Sequence, residues 1–216
     1  MPWTADTRGG GRLAAWLLLG VVLLAGCSGD SQWRLKDISG LLPRLSFTMT
    51  NQAGNKVHGA DYRGKVALLY FGYTHCPDVC PTTLAKLRRA LGQLGREAKR
   101  VRVLFVSVDP ERDTTSVLRT YVHAFGPQFV GLHGNRNQLD ALVKRYRVTY
   151  GYGKPDAHGH YEVSHSSGVF IFDPRGYPRL LAVQGDGADA LAHDLQRLLD
   201  TSRAYGVARR DRKSVV

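Results

Sequence analysis

The strongest constraint on the fold is a short apolar run at residues 65–71 that leads into a helical pattern. A continuous apolar run of this length is typical of a strand that is buried on both faces. Leucines then recur at helical spacing, at Leu84, Leu87, Leu91 and Leu94. A buried strand followed directly by an amphipathic helix predicts an α/β domain.

The same alternation continues along the chain. Residues 101–108 form a second apolar run, and residues 117–125 and 139–146 carry helical stripes. A third strand at 168–172 is followed by the turn sequence Asp173-Pro174-Arg175-Gly176, a returning strand at 180–183 and a final stripe at Leu191, Leu195 and Leu199. Periodicity predicts one α/β domain over residues 46–200, with a mixed central sheet flanked by helices. The order of its elements is that of a thioredoxin-like domain.

The N-terminal residues predict export. Two arginines precede an apolar stretch at 13–25, which is typical of a signal peptide and short for a membrane-spanning helix. The stretch ends in Leu24-Ala25-Gly26-Cys27, which resembles a bacterial lipobox, so we expect a signal over residues 1–26 and a lipidated Cys27. The polar segment 27–45 is interpreted as a tether and the basic segment 201–216 as a disordered tail. We therefore expect a lipid-anchored protein of the bacterial cell envelope that faces the periplasm or the cell exterior.

The net charge of +12 raises the question of nucleic acid. Export argues against that partner and favours a solvated basic surface, anionic lipid or acidic proteins. The sequence does not choose among these three.

Two cysteines remain for chemistry, Cys76 and Cys80, at the predicted junction of a strand and a helix. Ligands bind at such junctions in open α/β sheets. We place Pro81 at the first helical position and Cys80 near the N-cap, where the helix dipole favours thiolates. Two thiolates suit Cu(I) and also zinc, but a structural zinc site needs four ligands. A disulfide is possible, although closing so small a loop adds little stability.

A third ligand has to come from a distant histidine. Four histidines are candidates: His75, His158, His160 and His165. His75 is next to Cys76, but at the end of a strand the side chains of neighbouring residues point in opposite directions. His158 and His160 lie in a Gly-rich stretch. His165 directly precedes the strand at 168–172, in the loop that faces the cysteine pair in a thioredoxin-like domain. It stands where thioredoxins carry a cis-proline.

Three motifs resemble the Sco/SenC family: residues 70–81, residues 107–113 and residues 163–166. The resemblance covers roughly Ser46 to Leu199. It implies copper, as Cu(I) or Cu(II), held by Cys76, Cys80 and His165. It also implies a role in assembling the dinuclear copper centre of cytochrome c oxidase. The copper-centre subunit of the oxidase and other periplasmic copper carriers are the partners expected from it.

Three functions compete. A copper metallochaperone delivers its ion by ligand exchange and is the favoured reading. A thiol–disulfide oxidoreductase would instead cycle Cys76 and Cys80 through a disulfide, with a smaller part for His165. A thiol peroxidase is the weakest alternative, since no motif places an activating arginine beside the cysteines. Asp78, between the cysteines, is either a site residue or a solvated carboxylate, whereas Asp109 and Asp113 are expected to shape a turn and cap the next helix.

Overall fold

The computed structural model describes residues 33–211, with side chains up to residue 202. The strands are β1 (Lys36–Asp37), β2 (Thr48–Asn51), β3 (Lys56–His58), β4 (Val66–Gly72), β5 (Val101–Ser107), β6 (Phe129–His133), β7 (Tyr150–Tyr152), β8 (Val163–His165), β9 (Val169–Phe172) and β10 (Pro178–Ala182). The α-helices are α1 (Val79–Gln93), α2 (Thr115–His123), α3 (Arg136–Tyr146) and α4 (Ala188–Asp211). Short 3-10 helices cover Gly59–Tyr62 and Gly95–Arg100.

Eight strands form one mixed sheet in the order β1-β10-β9-β4-β5-β6-β2-β3, and β7 pairs with β8 in a separate hairpin. The strands β4, β5 and β6 run parallel, whereas β9 is antiparallel to β4 and β10 to β9. This arrangement confirms the predicted α/β domain with a mixed sheet. The carboxyl ends of the three parallel strands lie at the same end of the sheet, and the loops that follow these strands therefore lie at that end too.

Burial explains why the central strand is apolar throughout. Every residue of β4 is buried, because the sheet is covered on both faces. The stripe predicted from leucine spacing lies on α1, where Leu84 and Leu87 are almost fully buried. The predicted turn between β9 and β10 closes as expected, since Gly176 N donates to Asp173 O at 2.7 Å. The φ of +81° at Gly176 explains the glycine there.

The structure differs from the expected tether over residues 33–45. Leu35, Ile38 and Leu45 are buried, and β1 adds to the edge of the sheet beside β10. The backbone amide of Leu35 donates to the buried carboxyl of Asp194 at 2.8 Å. Three apolar residues at irregular spacing form no period, so the sequence pattern did not mark this segment as part of the domain.

The helix α4 runs to Asp211, so it enters the segment expected to be a disordered tail. The predicted signal peptide and the lipidated Cys27 lie outside the described residues. Between residues 33 and 211, no helix has both the length and the apolar character needed to cross a bilayer.

Candidate metal centre

The cysteine loop, residues 73–78, connects the carboxyl end of β4 to the start of α1. The helix begins at Val79 with Asp78 at its N-cap, and Thr82 N donates to Asp78 O at 3.1 Å. Cys80 and Pro81 are therefore the second and third helical residues, two positions deeper than predicted. Pro81 is tolerated there because the first helical N–H groups have no partner within the helix. The side chain of Asp78 is exposed and lies 3.2 Å from the Thr82 hydroxyl.

The structure brings together the three side chains singled out from the sequence. The sulfurs of Cys76 and Cys80 and a ring nitrogen of His165 lie within 4.8 Å of one another. Cys80 Sγ is 3.3 Å from His165 Nε2, and Cys80 N donates to Cys76 Sγ at 3.4 Å. Both cysteines are free thiols. Within residues 33–211 this is the one group of three His, Cys, Asp or Glu side chains with such spacing.

The orientation of His165 is set by its own backbone neighbourhood. Its Nδ1 lies 3.1 Å from the carbonyl oxygen of Ser166, which can only accept. Nδ1 therefore carries the proton in the neutral ring, and the lone pair of Nε2 faces the sulfurs. Burial lowers the pKa of His165, although the bond to Ser166 opposes the shift. Tyr70 and Tyr73 hold the ring edge-on, with centroids 6.0 Å away in each case.

The expectation that both thiols are shifted toward thiolate is wrong for Cys80. Its side chain is fully buried, and burial raises its pKa to about 12. Its position in the first helical turn does not offset this desolvation. A soft metal ion held by this sulfur would have to displace the Cys80 proton, so its binding would release protons. Cys76 is half-buried and gives access to the pair from solvent.

Gly72 leaves room for the Cys80 sulfur at the end of β4. A Cβ atom at this position would lie 2.8 Å from the ring of Phe105 and 3.0 Å from Cys80 Sγ. Both distances are shorter than ordinary van der Waals contacts. A side chain at residue 72 would therefore displace either the aromatic ring or the sulfur.

Asp113 has a structural role that sequence reasoning missed. It is buried, and its carboxyl oxygens accept from Thr74 N at 3.0 Å, the Thr74 hydroxyl at 2.6 Å and the Ser107 hydroxyl at 2.7 Å. These bonds tie the cysteine loop to the end of β5. The N-cap of α2 is Thr114, so the expected capping role of Asp113 is wrong.

Asp109 also connects segments around the centre. Its carboxyl group is buried, pairs with Arg112 and accepts from the Tyr161 hydroxyl at 2.9 Å. The guanidinium carbon of Arg112 lies 3.6 Å from the centroid of Tyr161 and 5.9 Å from that of Tyr73. The β7–β8 connection that precedes His165 is thus tied to the loop after β5.

The other candidate histidines lie apart from the ligand group. His75 is half-exposed and points toward Asp113, with its Nδ1 at 3.7 Å from the carboxyl oxygen. His158 and His160 are exposed in the β7–β8 connection, with ring centroids 6.2 Å apart. The structure therefore separates all three from the cysteines and brings only His165 to them.

Two free thiols and one imidazole converge in a thioredoxin-like domain. This combination is typical of domains that can bind a metal ion through thiolates. The chain belongs to the SCO1/SenC family, whose profile matches residues 42–200. The family resemblance stated from the motifs is thereby confirmed, as is the thioredoxin-like fold.

Similar proteins occur in animals, bacteria and plants. The chain is 41% identical to the mitochondrial SCO2 homolog of Bos taurus over 132 residues, which are 60% of this chain and 50% of that protein. It thus spans about half the length of that relative. The solved structures that it resembles include proteins with copper bound. ScoI of Bradyrhizobium japonicum is 34% identical with a TM-score of 0.66, covering 72% of this chain and 98% of that one. ScoI of Arabidopsis thaliana is 30% identical with a TM-score of 0.68, covering 73% and 98%.

Proposed function

We propose that this protein is a membrane-anchored copper metallochaperone that holds the ion through Cys76, Cys80 and His165. The observation that carries the proposal is the convergence of two sulfurs and an imidazole nitrogen within 4.8 Å. Two thiolates and a neutral imidazole match the preference of Cu(I) for soft ligands. Three protein ligands also leave one side open, where an incoming thiolate of an acceptor can replace them stepwise.

The acceptor that follows from the family resemblance is the copper-centre subunit of cytochrome c oxidase. Other periplasmic copper carriers are the matching donors. Half-exposed Cys76 is the ligand that an acceptor thiolate reaches first, since Cys80 is fully buried. Transfer therefore begins at Cys76 and ends with release of the ion from Cys80 and His165.

The site is tested by anaerobic titration of the thiol-reduced protein with Cu(I) and with Cu(II), counting metal against free thiols. The parent binds one copper ion per chain, and His165→Ala, Cys76→Ser and Cys80→Ser each lose tight binding. His160→Ala is the matched control, because it removes an exposed imidazole of the β7–β8 connection. If His165→Ala retains copper as tightly as the parent, the ligand set is wrong.

A thiol–disulfide oxidoreductase is the second candidate, favoured by the two adjacent free thiols. The amide of Cys80 lies 3.4 Å from Cys76 Sγ, which holds the sulfur beside the amino end of α1. In that reaction a partner disulfide is reduced and Cys76 and Cys80 become a disulfide, so two electrons pass to the partner. His165→Ala separates the candidates, because it removes copper binding and leaves thiol exchange intact. Trapping a mixed disulfide of Cys76 with an oxidase subunit in a Cys80→Ser background would favour the oxidoreductase.

The membrane anchor is proposed from the sequence Leu24-Ala25-Gly26-Cys27, whose resemblance to a lipobox supports a location in the bacterial envelope. Labelling of growing cells with a radioactive fatty acid tests it. The parent incorporates label and fractionates with membranes, whereas Cys27→Ser does not incorporate label. Equal labelling of both proteins would refute lipidation at Cys27.

A further inference from the structure

The end of the sheet opposite the metal centre is strongly basic. We define the basic pole as residues 38–47, 59–65, 94–102 and 173–179, which lie where β4 and β5 begin and β9 ends. Hydrogen bonds join these segments, including Gly64 N to Pro174 O at 2.8 Å and Leu45 N to Gly176 O at 2.8 Å. They contain nine lysines and arginines and three acidic residues, a net charge of +6.

The end that carries the metal centre has the opposite charge. We define the metal pole as residues 73–78, 108–114, 153–162 and 183–187, which follow β4, β5, β7 and β10. These segments contain seven acidic and two basic residues, a net charge of −5. The seven-residue strands β4 and β5 separate the poles by about 20 Å. That distance exceeds the Debye length of about 8 Å at physiological salt, so each pole presents its own field to a partner.

The acidic groups of the basic pole are engaged within the domain. Asp61 accepts from His58 N at 2.8 Å, and Glu97 pairs with Arg100 at 3.0 Å. Asp173 is buried and accepts from the amides of Arg175 and Tyr177, each at 2.9 Å. Asp173 also pairs with Arg175 at 3.4 Å, so two of the nine cations are compensated locally and the pole keeps its net charge of +6.

Aromatic and aliphatic side chains lie among these cations. The Arg44 guanidinium carbon lies 4.2 Å from the Tyr177 ring centroid, and one of its nitrogens donates to Arg175 O at 2.7 Å. Tyr177 is 42% exposed and Leu41 is 61% exposed. Arginine, tyrosine and an exposed leucine together match the headgroup region of a bilayer, where cations meet phosphate and tyrosine lies at the boundary. An acidic protein would need the charges but not the exposed leucine.

We propose that the basic pole binds the head groups of anionic phospholipids, so that the metal centre points away from the membrane. The proposal rests on the membrane attachment proposed above and is independent of copper binding. The attachment brings the domain to the bilayer, and the charge separation then selects one orientation. The acidic metal pole is repelled by the same surface, which reinforces that orientation.

The test uses the full chain reconstituted into vesicles of phosphatidylcholine, with and without phosphatidylglycerol, and measures hydrogen–deuterium exchange. In anionic vesicles the amides of the basic pole exchange more slowly than in neutral vesicles, whereas those of the metal pole do not change. The protection is lost at 1 M salt, where the Debye length is about 3 Å. A triple variant, Arg44→Gln, Arg63→Gln and Arg175→Gln, loses the protection.

The control variant carries the same change of charge elsewhere, on α1 and α2: Lys86→Gln, Arg89→Gln and Arg119→Gln. It keeps the protection of the basic pole, and copper content and thermal unfolding are measured for both variants to show that they are folded. Equal exchange in the two vesicle compositions, or protection of the metal pole, overturns the proposal. If the chain does not float with neutral vesicles, the lipid anchor is refuted but the basic pole is not. In that case flotation with anionic vesicles tests the basic pole: flotation is expected at low salt, and it is lost at 1 M salt and in the triple variant.

Discussion

Replacing Asp113 with alanine is expected to loosen the cysteine loop without touching a ligand. The carboxyl group accepts three hydrogen bonds, two of them from Thr74 and one from Ser107. Hydrogen bonds to a charged group contribute about 1.5–3 kcal/mol each, but the two hydroxyls can find other partners or water. We therefore expect the free energy of unfolding of the metal-free protein to fall by about 3–5 kcal/mol.

The effect reaches the metal because Thr74 lies two residues before Cys76. Groups that orient ligands typically change metal affinity by about 10- to 100-fold, and we expect a loss of that size for Asp113→Ala. Urea denaturation gives the stability, and titration against a Cu(I) chelator gives the affinity.

The matched control is Asp186→Ala, which removes an acceptor of one amide, Val183 N at 2.7 Å, outside the cysteine loop. It should leave the copper affinity unchanged. An Asp113→Ala protein that unfolds at the parent's urea concentration would refute the role assigned to this carboxyl group. Unchanged copper affinity in a clearly destabilised variant would show that loop anchoring and metal binding are uncoupled.

Three further outcomes follow from the centre. Gly72→Ala introduces a Cβ 3.0 Å from Cys80 Sγ, so it should destabilise the protein by about 1–3 kcal/mol in thermal or urea unfolding and weaken copper binding; parent-like values for both would contradict the close fit. Iodoacetamide should modify half-buried Cys76 well before fully buried Cys80, whose pKa is raised to about 12 by burial, as mass spectrometry of timed digests would show. Equal rates at the two residues would argue against that difference in access. Because burial lowers the pKa of His165, the unfolded chain binds a proton that the folded one does not, and stability should fall as pH drops below about 6.5. His165→Ala should show a smaller decline in urea unfolding over that range, and an identical decline would exclude His165 as its source.

Much of the fold follows from local patterns. The buried strand before Cys76 and the leucine stripe of α1 were predicted because periodicity reports burial directly. The segment 33–45 was misassigned because its three buried residues follow no period and the segment is held by distant partners, such as the carboxyl group of Asp194 that accepts from Leu35 N. The predicted start of α1 lies two residues after the observed one because Asp78 is the N-cap. The sequence does not say which of several candidate N-cap residues is used.

The sequence by itself determined the chemical types at the centre: two thiols four residues apart at a strand–helix junction and a histidine before a later strand. The resemblance of its motifs to a known family was sufficient to name the expected ligand set. These are properties of spacing and order along the chain, so they can be recognised without a structure.

Only the tertiary structure decided how those groups behave. Cys80 is fully buried, which opposes its ionisation, and one of its contacts is with a residue distant in sequence, since its Sγ lies 3.3 Å from His165 Nε2. The bond that Asp113 makes to Thr74 joins positions 39 apart. The division of charge into a basic pole and an acidic metal pole arises because the strands run in defined directions and collect separate loops at each end of the sheet. Contacts between residues that are far apart in the sequence leave no local sequence pattern, so they could not be predicted from the sequence alone.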